Sequence, residues 1–583
     1  MKKSFFLVAV LFLATPFLHA QSVPYPLTNE AVYHQIDRFE VLYGNDNYLQ
    51  TTAKPYTRAD VIRYALHLDS TKARMSRVDQ AALQYLFDDN NELLSPPELP
   101  KTLTQKQDLN QISDRDPPPY KTNKKPIFKH FYRTPANLYE THSRFFDLKV
   151  NPIYSLKIAE QRYEDKAVSL QQKGIDIRGS IDNRVYFQTN FVETQTLFPN
   201  YVNARIKRDT AIPGVSLLFK DYNSNLFRLN NGGYDFLNAQ GLVGFNITPH
   251  IGLQLGNGQH FVGDGMRSLF LSNFANNYFF MKLNTKVWKL QYQNIFAELI
   301  ANKGRVGDDL QPKKYMATHQ LSFNVNKNLN FGIFETVIMN RTGYFELQYL
   351  NPIIFYRSVE HALGSPDNVL LGANFKWNTA KHLSIYGQLL LDEFVLKALF
   401  IDKNGWWANK FGNQIGVKYF DVLNIDHLDM QLEYNKIRPF TYSYYTSTNS
   451  YTHAYQNLAH PLGANFHEIM AKLRYQPTWR LTLDGRLMYA SVGESSAKEN
   501  WGDRPYTGNN TRKMENGYFT TEGVNAKILL TSLDISYQLY HNVFADLHFL
   551  ARKKDSQDAT RNERTLYFGG GLRINFGNYR SDY

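Results

Sequence analysis

The sequence predicts an all-β transmembrane barrel of about 18 antiparallel strands, with a small N-terminal α-helical periplasmic region. Three observations carry this. From about residue 144 onward, apolar and polar residues alternate with a period of two. Short connections alternate strictly with long ones, as tight inner turns alternate with outer loops in such barrels. After the first twenty residues there is no apolar run of about 18 residues, so no helix is available to cross a membrane.

Composition narrows the field further. The 583 residues contain no cysteine, which excludes disulfides, thiolate catalysis, Cys-ligated zinc and a Cys-anchored lipoprotein. At 43% hydrophobic and 20% charged, the chain is not disordered. The net charge of +12 is spread thinly and forms no Lys/Arg block, so no nucleic-acid role is implied. Aromatics reach 15%. Interface girdles and loops of a barrel account for that load.

Residues 1–20 read as a cleavable signal peptide: Lys2 and Lys3, an apolar stretch from Phe5 to Ala14, then Leu18-His19-Ala20. Pro16 and the short run argue against a membrane anchor. Residues 21–98 read as helices. Thr28 caps the first, with Leu27 and Val32 placed as a staple and Gly44 as the stop. Thr57 with Asp60, and Ser76 with Asp79, cap the second and third. Residues 99–143 form a Pro-rich linker.

The barrel is placed over residues 144–577, with a tail at 578–583. In its first strand Phe146, Leu148, Val150, Tyr154, Leu156 and Ile158 alternate with Asp147, Lys149, Asn151, Ser155 and Lys157. Leu428 to Asn435 and Leu529 to Leu539 repeat the pattern. Short connections are expected at Asp182-Asn183, Thr248-Pro249, Asn284-Thr285, Asn326 to Asn328, Asn378 to Lys381, Gln476 to Thr478 and His541-Asn542. Even strand number returns the chain to the periplasmic side.

Three long stretches carry a family resemblance: Gly256 to Phe270 (GNGQHFVGDGMRSLF), Tyr349 to Gly372 (YLNPIIFYRSVEHALGSPDNVLLG) and Ala459 to Glu468 (AHPLGANFHE). The chain resembles the Wzi-type capsule-assembly outer-membrane proteins, and most closely their gliding-motility-associated branch. The resemblance implies an 18-stranded barrel whose inner end is blocked by helices, and a surface lectin that holds capsular polysaccharide. The partners it implies are outer-membrane lipid, capsular or other surface polysaccharide, and other envelope or gliding proteins. No cofactor or metal is implied.

The matching motifs fall largely in long connections. Gly256, Gly258, Gly263 and Gly265 allow tight folding around His260, Asp264 and Arg267, as a constricting loop that offers donors and acceptors to a sugar or as a packed structural loop. Tyr356, Arg357, Glu360, His361 and Asp367 read either as a sugar site or as an internal ion-pair network. Tyr442, Tyr444, Tyr445, Tyr451 and Tyr455 form a polar-flanked loop group suited to stacking on pyranose faces. Trp406-Trp407 fits an interface girdle better.

Catalysis finds little support. Asp392 and Glu393 are adjacent on a strand and are expected to face opposite sides, which suits glycoside hydrolysis poorly. His460, and His467 beside Glu468, lack a nucleophile in a recognisable setting. The expected function is a non-enzymatic polysaccharide-binding barrel of the outer membrane. The rivals are a gliding or adhesion accessory, a transport channel, and a membrane-embedded hydrolase resting on His460 or Asp264.

Overall fold

A computed structural model describes residues 23–583, except 46–48, 72–74, 95–122, 124–126, 144, 164–165, 183, 216–218, 225–228, 302–310, 342, 394, 396, 398–400 and 402. The signal-peptide reading and most of the linker lie outside the described residues. No helix among the described residues is long and apolar enough to span a bilayer, and the crossing is made by strands.

Eighteen antiparallel strands close into one barrel. In chain order they are β1 Phe146–Arg162, β2 Lys166–Ile181, β3 Val185–Leu197, β4 Leu229–Asn246, β5 Ile251–Gly258 and β6 Tyr278–Val287. Next come β7 Leu290–Ile300, β8 Lys313–Asn324, β9 Leu329–Met339, β10 Asn368–Ala380, β11 Leu383–Glu393 and β12 Lys410–Tyr419. The ring is completed by β13 Leu428–Ile437, β14 Phe466–Tyr475, β15 Leu481–Glu494, β16 Val524–Tyr540, β17 Val543–Ser556 and β18 Glu563–Ile574. The seam joins β18 to β1, from Ile574 opposite Tyr154 to Leu566 opposite Arg162. Tyr139–His142, inside the predicted linker, adds a short strand to the inner half of β1.

The alternation has the expected consequence. Phe331, Ile333, Leu371, Leu389, Ile415, Leu529 and Phe568 stand bare on the outer wall, and Trp288, Trp377 and Tyr540 lie near the inner turns. Inward positions are polar, and this explains one misplaced turn. Asn284 and Thr285 are turn-type residues, but they lie inside β6, where Asn284 accepts from Gln291 in the lumen at 2.9 Å. The real turn is Trp288-Lys289.

Three helices occupy the inner mouth: α1 Glu30–Tyr43, α2 Arg58–Ser70 and α3 Arg77–Asp89. The α2 and α3 caps form as read, with Thr57 and Ser76 accepting from the backbone N–H of Asp60 and Asp79. The first helix begins one residue later than expected, at an Asn29 N-cap. The helices share their own core of Ile36, Phe39, Val61, Tyr64, Leu68, Leu86 and Phe87.

Their docking is electrostatic. Wall cations meet helix or helix-end acids in sequence around the ring: Lys149 with Glu92, Lys286 with Asp60, Lys376 with Glu40 (2.7 Å), Lys418 with Asp37 (2.7 Å) and Arg486 with Glu30. Arg38 runs the other way, to Asp429 of β13 and to Asp421 in the turn before it, each at 2.8 Å. Pairing of this kind offsets the cost of taking charges out of water.

Candidate functional site

From the outer side, residues 259–277 dip into the lumen. Their backbone polar groups would be costly there without partners. Inward side chains of β11 to β13 supply them: Leu269 N–H donates to Gln388 Oε1 at 2.8 Å, Gln414 Nε2 donates to the Arg267 carbonyl at 3.1 Å, and Glu433 accepts from Met266 N at 2.7 Å and Arg267 N at 3.1 Å. Gly263 sits at φ +139°, and a Cβ there would lie 2.5 Å from Gln388 Nε2. The dipping loop meets the inner plug directly, as Phe261–Val262 pairs with Ala53–Lys54.

The final residues complete the filling. Beyond β18 the chain turns back into the barrel. Arg580 lies 3.2 Å from Asp484 and 3.4 Å from Asp534. Asp582 holds Arg267 at 3.1 Å and Arg486 at 2.9 Å, and the arginines hold its carboxyl down at about 2 against the burial that would raise it. The Ser581 carbonyl accepts from Tyr201 near the outer rim at 2.7 Å.

The sequence candidates disperse over this framework. His260 is buried with one ring nitrogen 3.2 Å from the Tyr278 hydroxyl, and burial holds its pKa well below the usual imidazole value. Asp264 is buried 3.7 Å from Lys376. Arg267 also approaches Glu468, at 3.6 Å, and Glu468 pairs with the fully buried His460 at 2.9 Å. Tyr442 and Tyr451 are core residues stacked 6.0 Å apart, and Tyr442 donates to the Leu269 carbonyl at 2.8 Å. None of these presents a face to solvent. Tyr444 is half-buried and Tyr445 is exposed.

Three readings need correction. Tyr356, Arg357, Glu360 and His361 lie on a helix, α5 (Tyr356–Leu363), packed on the outside of the barrel and not in its mouth. Asp367 is clamped there by both Arg341 nitrogens at 2.8 Å and by the Tyr349 hydroxyl at 2.8 Å. Trp407 is no girdle residue. Its indole donates to Glu515 at 2.8 Å and the Arg512 guanidinium covers its ring at 3.8 Å, which pins two outer loops together. A register shift at the end of β11 brings both Asp392 (3.3 Å) and Glu393 (3.1 Å) to Lys410, instead of to opposite faces.

What faces outward is a cleft of about 90 Å³ at the outer mouth. A helix of the loop 198–228, α4 (Asn200–Asp209), forms one side. Arg205, Arg208, Arg504, Arg552 and Lys554 line it together with Tyr201, Tyr455, Tyr506 and Tyr583. Asp209 organises the rim. It accepts from Arg208 at 2.6 Å, Arg205 at 3.2 Å and the Tyr506 hydroxyl at 2.6 Å, and Arg208 and its hydrogen bond hold its pKa far down despite burial. Arg208 and Arg504 keep 36% and 30% of their side-chain surface in solvent, so both can reach a ligand.

Of the sequence candidates only Tyr455 lines this cleft. Arg205 and Arg208 were missed, although a helical run with Lys/Arg at 205, 207 and 208 inside a long outer loop was a readable signal. Arg552 and Lys554 were not readable, because inward-facing cations on a late strand look like any lumen residues.

No protein-family model and no curated protein matches the chain. Among solved structures it is similar to Wzi, an outer-membrane protein involved in group 1 capsule assembly in Escherichia coli and described as a carbohydrate-binding β-barrel. Identity is 13%, coverage 96% of this chain and 99% of Wzi, and the TM-score 0.53. It is also matched by OccAB2 of Acinetobacter baumannii (9% identity, 74% and 99% coverage, TM-score 0.42) and OprD of Pseudomonas aeruginosa (12%, 73% and 94%, TM-score 0.39). At these identities the likeness is one of fold, and the chain is a closed 18-stranded antiparallel β-barrel of the outer-membrane type with a few N-terminal helices.

Proposed function

We infer that this barrel binds a surface polysaccharide at its outer mouth, and neither conducts solutes nor catalyses a reaction. The observation that carries this is the outward-facing Arg208–Tyr506–Arg504 cleft standing above a lumen filled from both ends. Guanidinium groups and tyrosine faces suit the hydroxyls, carboxylates and apolar ring faces of sugars. The carbohydrate binding described for Wzi supports the same reading. The full burial of the His460–Glu468 pair supports a structural role for it.

The test is titration of the purified barrel with capsular polysaccharides on a glycan array, with Arg208→Ala and Tyr506→Phe as variants. Each variant should weaken binding about tenfold, the value of one charge-assisted hydrogen bond. Absence of glycan binding by the wild type, with normal capsule retention in a deletion strain, would refute the reading. The same strain separates the gliding role: normal capsule with lost spreading would favour a motility accessory instead.

A further inference from the structure

The long connection between β9 and β10 does not rise from the outer mouth. It folds down over the outside of the barrel. Its base is closed at the rim by Arg341, which follows β9, gripping Asp367, which precedes β10. Between them Tyr349, Tyr356 and Val359 pack on outward-facing Phe296, Tyr315, Ala317, Val337, Met339 and Val369 of β7 to β10.

The reason for this cover lies in the wall beneath. Asn294, His319 and Glu335 stand opposite one another on β7, β8 and β9 and all point outward. Glu335 lies four residues from the outer end of its strand, so the row sits roughly 10 Å below the rim. Polar groups at that depth of a lipid-facing band are unfavourable unless shielded. The segment shields them. Asn294 Nδ2 donates to the Pro352 carbonyl at 3.1 Å, Glu335 Oε1 accepts from Arg357 N–H at 3.1 Å, and the Tyr356 ring lies 3.9 Å from the His319 ring.

The outer surface of the cover is bare, and its largest exposed side chains are apolar, with Gln348, Asn351, Ser358 and His361 exposed among them. Ile353 is 82% exposed, Leu347 72%, Phe355 65% and Tyr344 56%. This surface continues the lipid-facing band directly, since Phe331 and Ile333 are exposed on the same strand as Glu335, below the covered row. The one exposed cation at its deep end, Arg357, reaches up one helical turn to Glu360 at 2.5 Å, toward the rim.

We propose that residues 344–363 are embedded in the outer leaflet, with Leu347, Ile353 and Phe355 buried among lipid acyl chains and α5 rising to the headgroups. The occupant is hydrocarbon, because the exposed Leu347, Ile353 and Phe355 are continuous with the barrel's own membrane-facing wall. The chain thereby carries a lipid-side element outside its barrel, separate from the outer cleft and independent of what that cleft binds.

The absence of cysteine makes a direct test possible. Single substitutions Ile353→Cys and Phe355→Cys are labelled with a nitroxide in the full-length barrel reconstituted into phosphatidylcholine vesicles. Phe331→Cys serves as the lipid-facing reference and Tyr445→Cys as the aqueous one. All four sites are exposed, so the substitutions remove little packing. Collisions with dissolved oxygen and with a polar nickel chelate are then compared. Positions 353 and 355 should match 331, with an oxygen-to-nickel ratio about tenfold above that at 445, because hydrocarbon excludes the chelate. A ratio like that at 445 overturns the proposal. So does protection from both reagents, which would mean that protein and not lipid covers the surface.

Discussion

Glu433 shows how much one side chain can hold. Its carboxylate accepts from two backbone N–H groups of the dipping loop, from Asn435 at 2.9 Å and from the Tyr386 hydroxyl at 2.8 Å. Glu433→Ala strands these donors in the lumen and should destabilise the fold by on the order of 3 kcal/mol, read from the denaturant midpoint. His34 gives a pH prediction. It faces Asp429 at 2.9 Å, with Arg38, Arg474 and Lys472 nearby, and burial outweighs Asp429 to bring its pKa down to about 4. The undocked imidazole protonates near 6.5, so between about 6.5 and 4 the undocked state binds more protons. Docking is therefore fully stable above that window and loses about 3 kcal/mol as the pH falls through it. His427, 2.6 Å from Ser76, has its pKa lowered by burial and by Arg38, and adds in the same direction. His34→Gln should flatten the profile of protease sensitivity of the helices against pH. At this scale the sequence was least legible. Residue type identified His460 and Tyr442 as polar or aromatic loop residues, but whether a loop rises or dips decides whether they meet solvent.

Elements were far more readable than sites, because period and capping are local. Thr57–Asp60 and Ser76–Asp79 announce their helices in four residues. The turn at 420–427 gave no such signal. It contains no Gly or Pro and instead places Asp421, Leu423, Asn424 and His427 at positive φ. Helix docking depends on pairs that sequence cannot match up. Lys376 and Glu40 are 336 residues apart, yet bonded at 2.7 and 2.8 Å. Lys376→Met leaves the buried Glu40 carboxylate without its cation, held by Thr51 and Asn45, and should cost about 3–5 kcal/mol of docking, whereas the double change with Glu40→Gln should cost much less. A cysteine placed at Val61, in the helix core, reports this as a rate of thiol labelling: fast in the single variant and slow in the wild type and the double.

For the whole molecule, occlusion is the property with the plainest readout. Among the described residues, helices from the inner side, the 259–277 loop from the outer side and residues 575–583 between them fill the lumen and leave neighbouring cavities of about 490 and 260 Å³. Reconstituted into a planar bilayer, the protein should show little or no steady conductance, and removal of residues 23–94 should raise it; a large conductance of the intact chain would contradict the filled lumen. Barrel class and strand number were legible because period-two strands recur along the chain and most outer connections are longer than the inner turns, although the outer link 163–165 is shorter than the inner turn 420–427. The filling was not, since a residue that lines a lumen and one that plugs it share the same chemistry. The seam gives the filled lumen a consequence for attachment. Both segments inside the barrel, the helices that precede β1 and the residues that follow β18, leave the wall beside the β1–β18 junction. One stretch of wall, Tyr154 to Arg162 against Ile574 to Leu566, therefore tethers both fillings to the same edge of the inner rim, so each is held as a covalent neighbour of the other across a single seam.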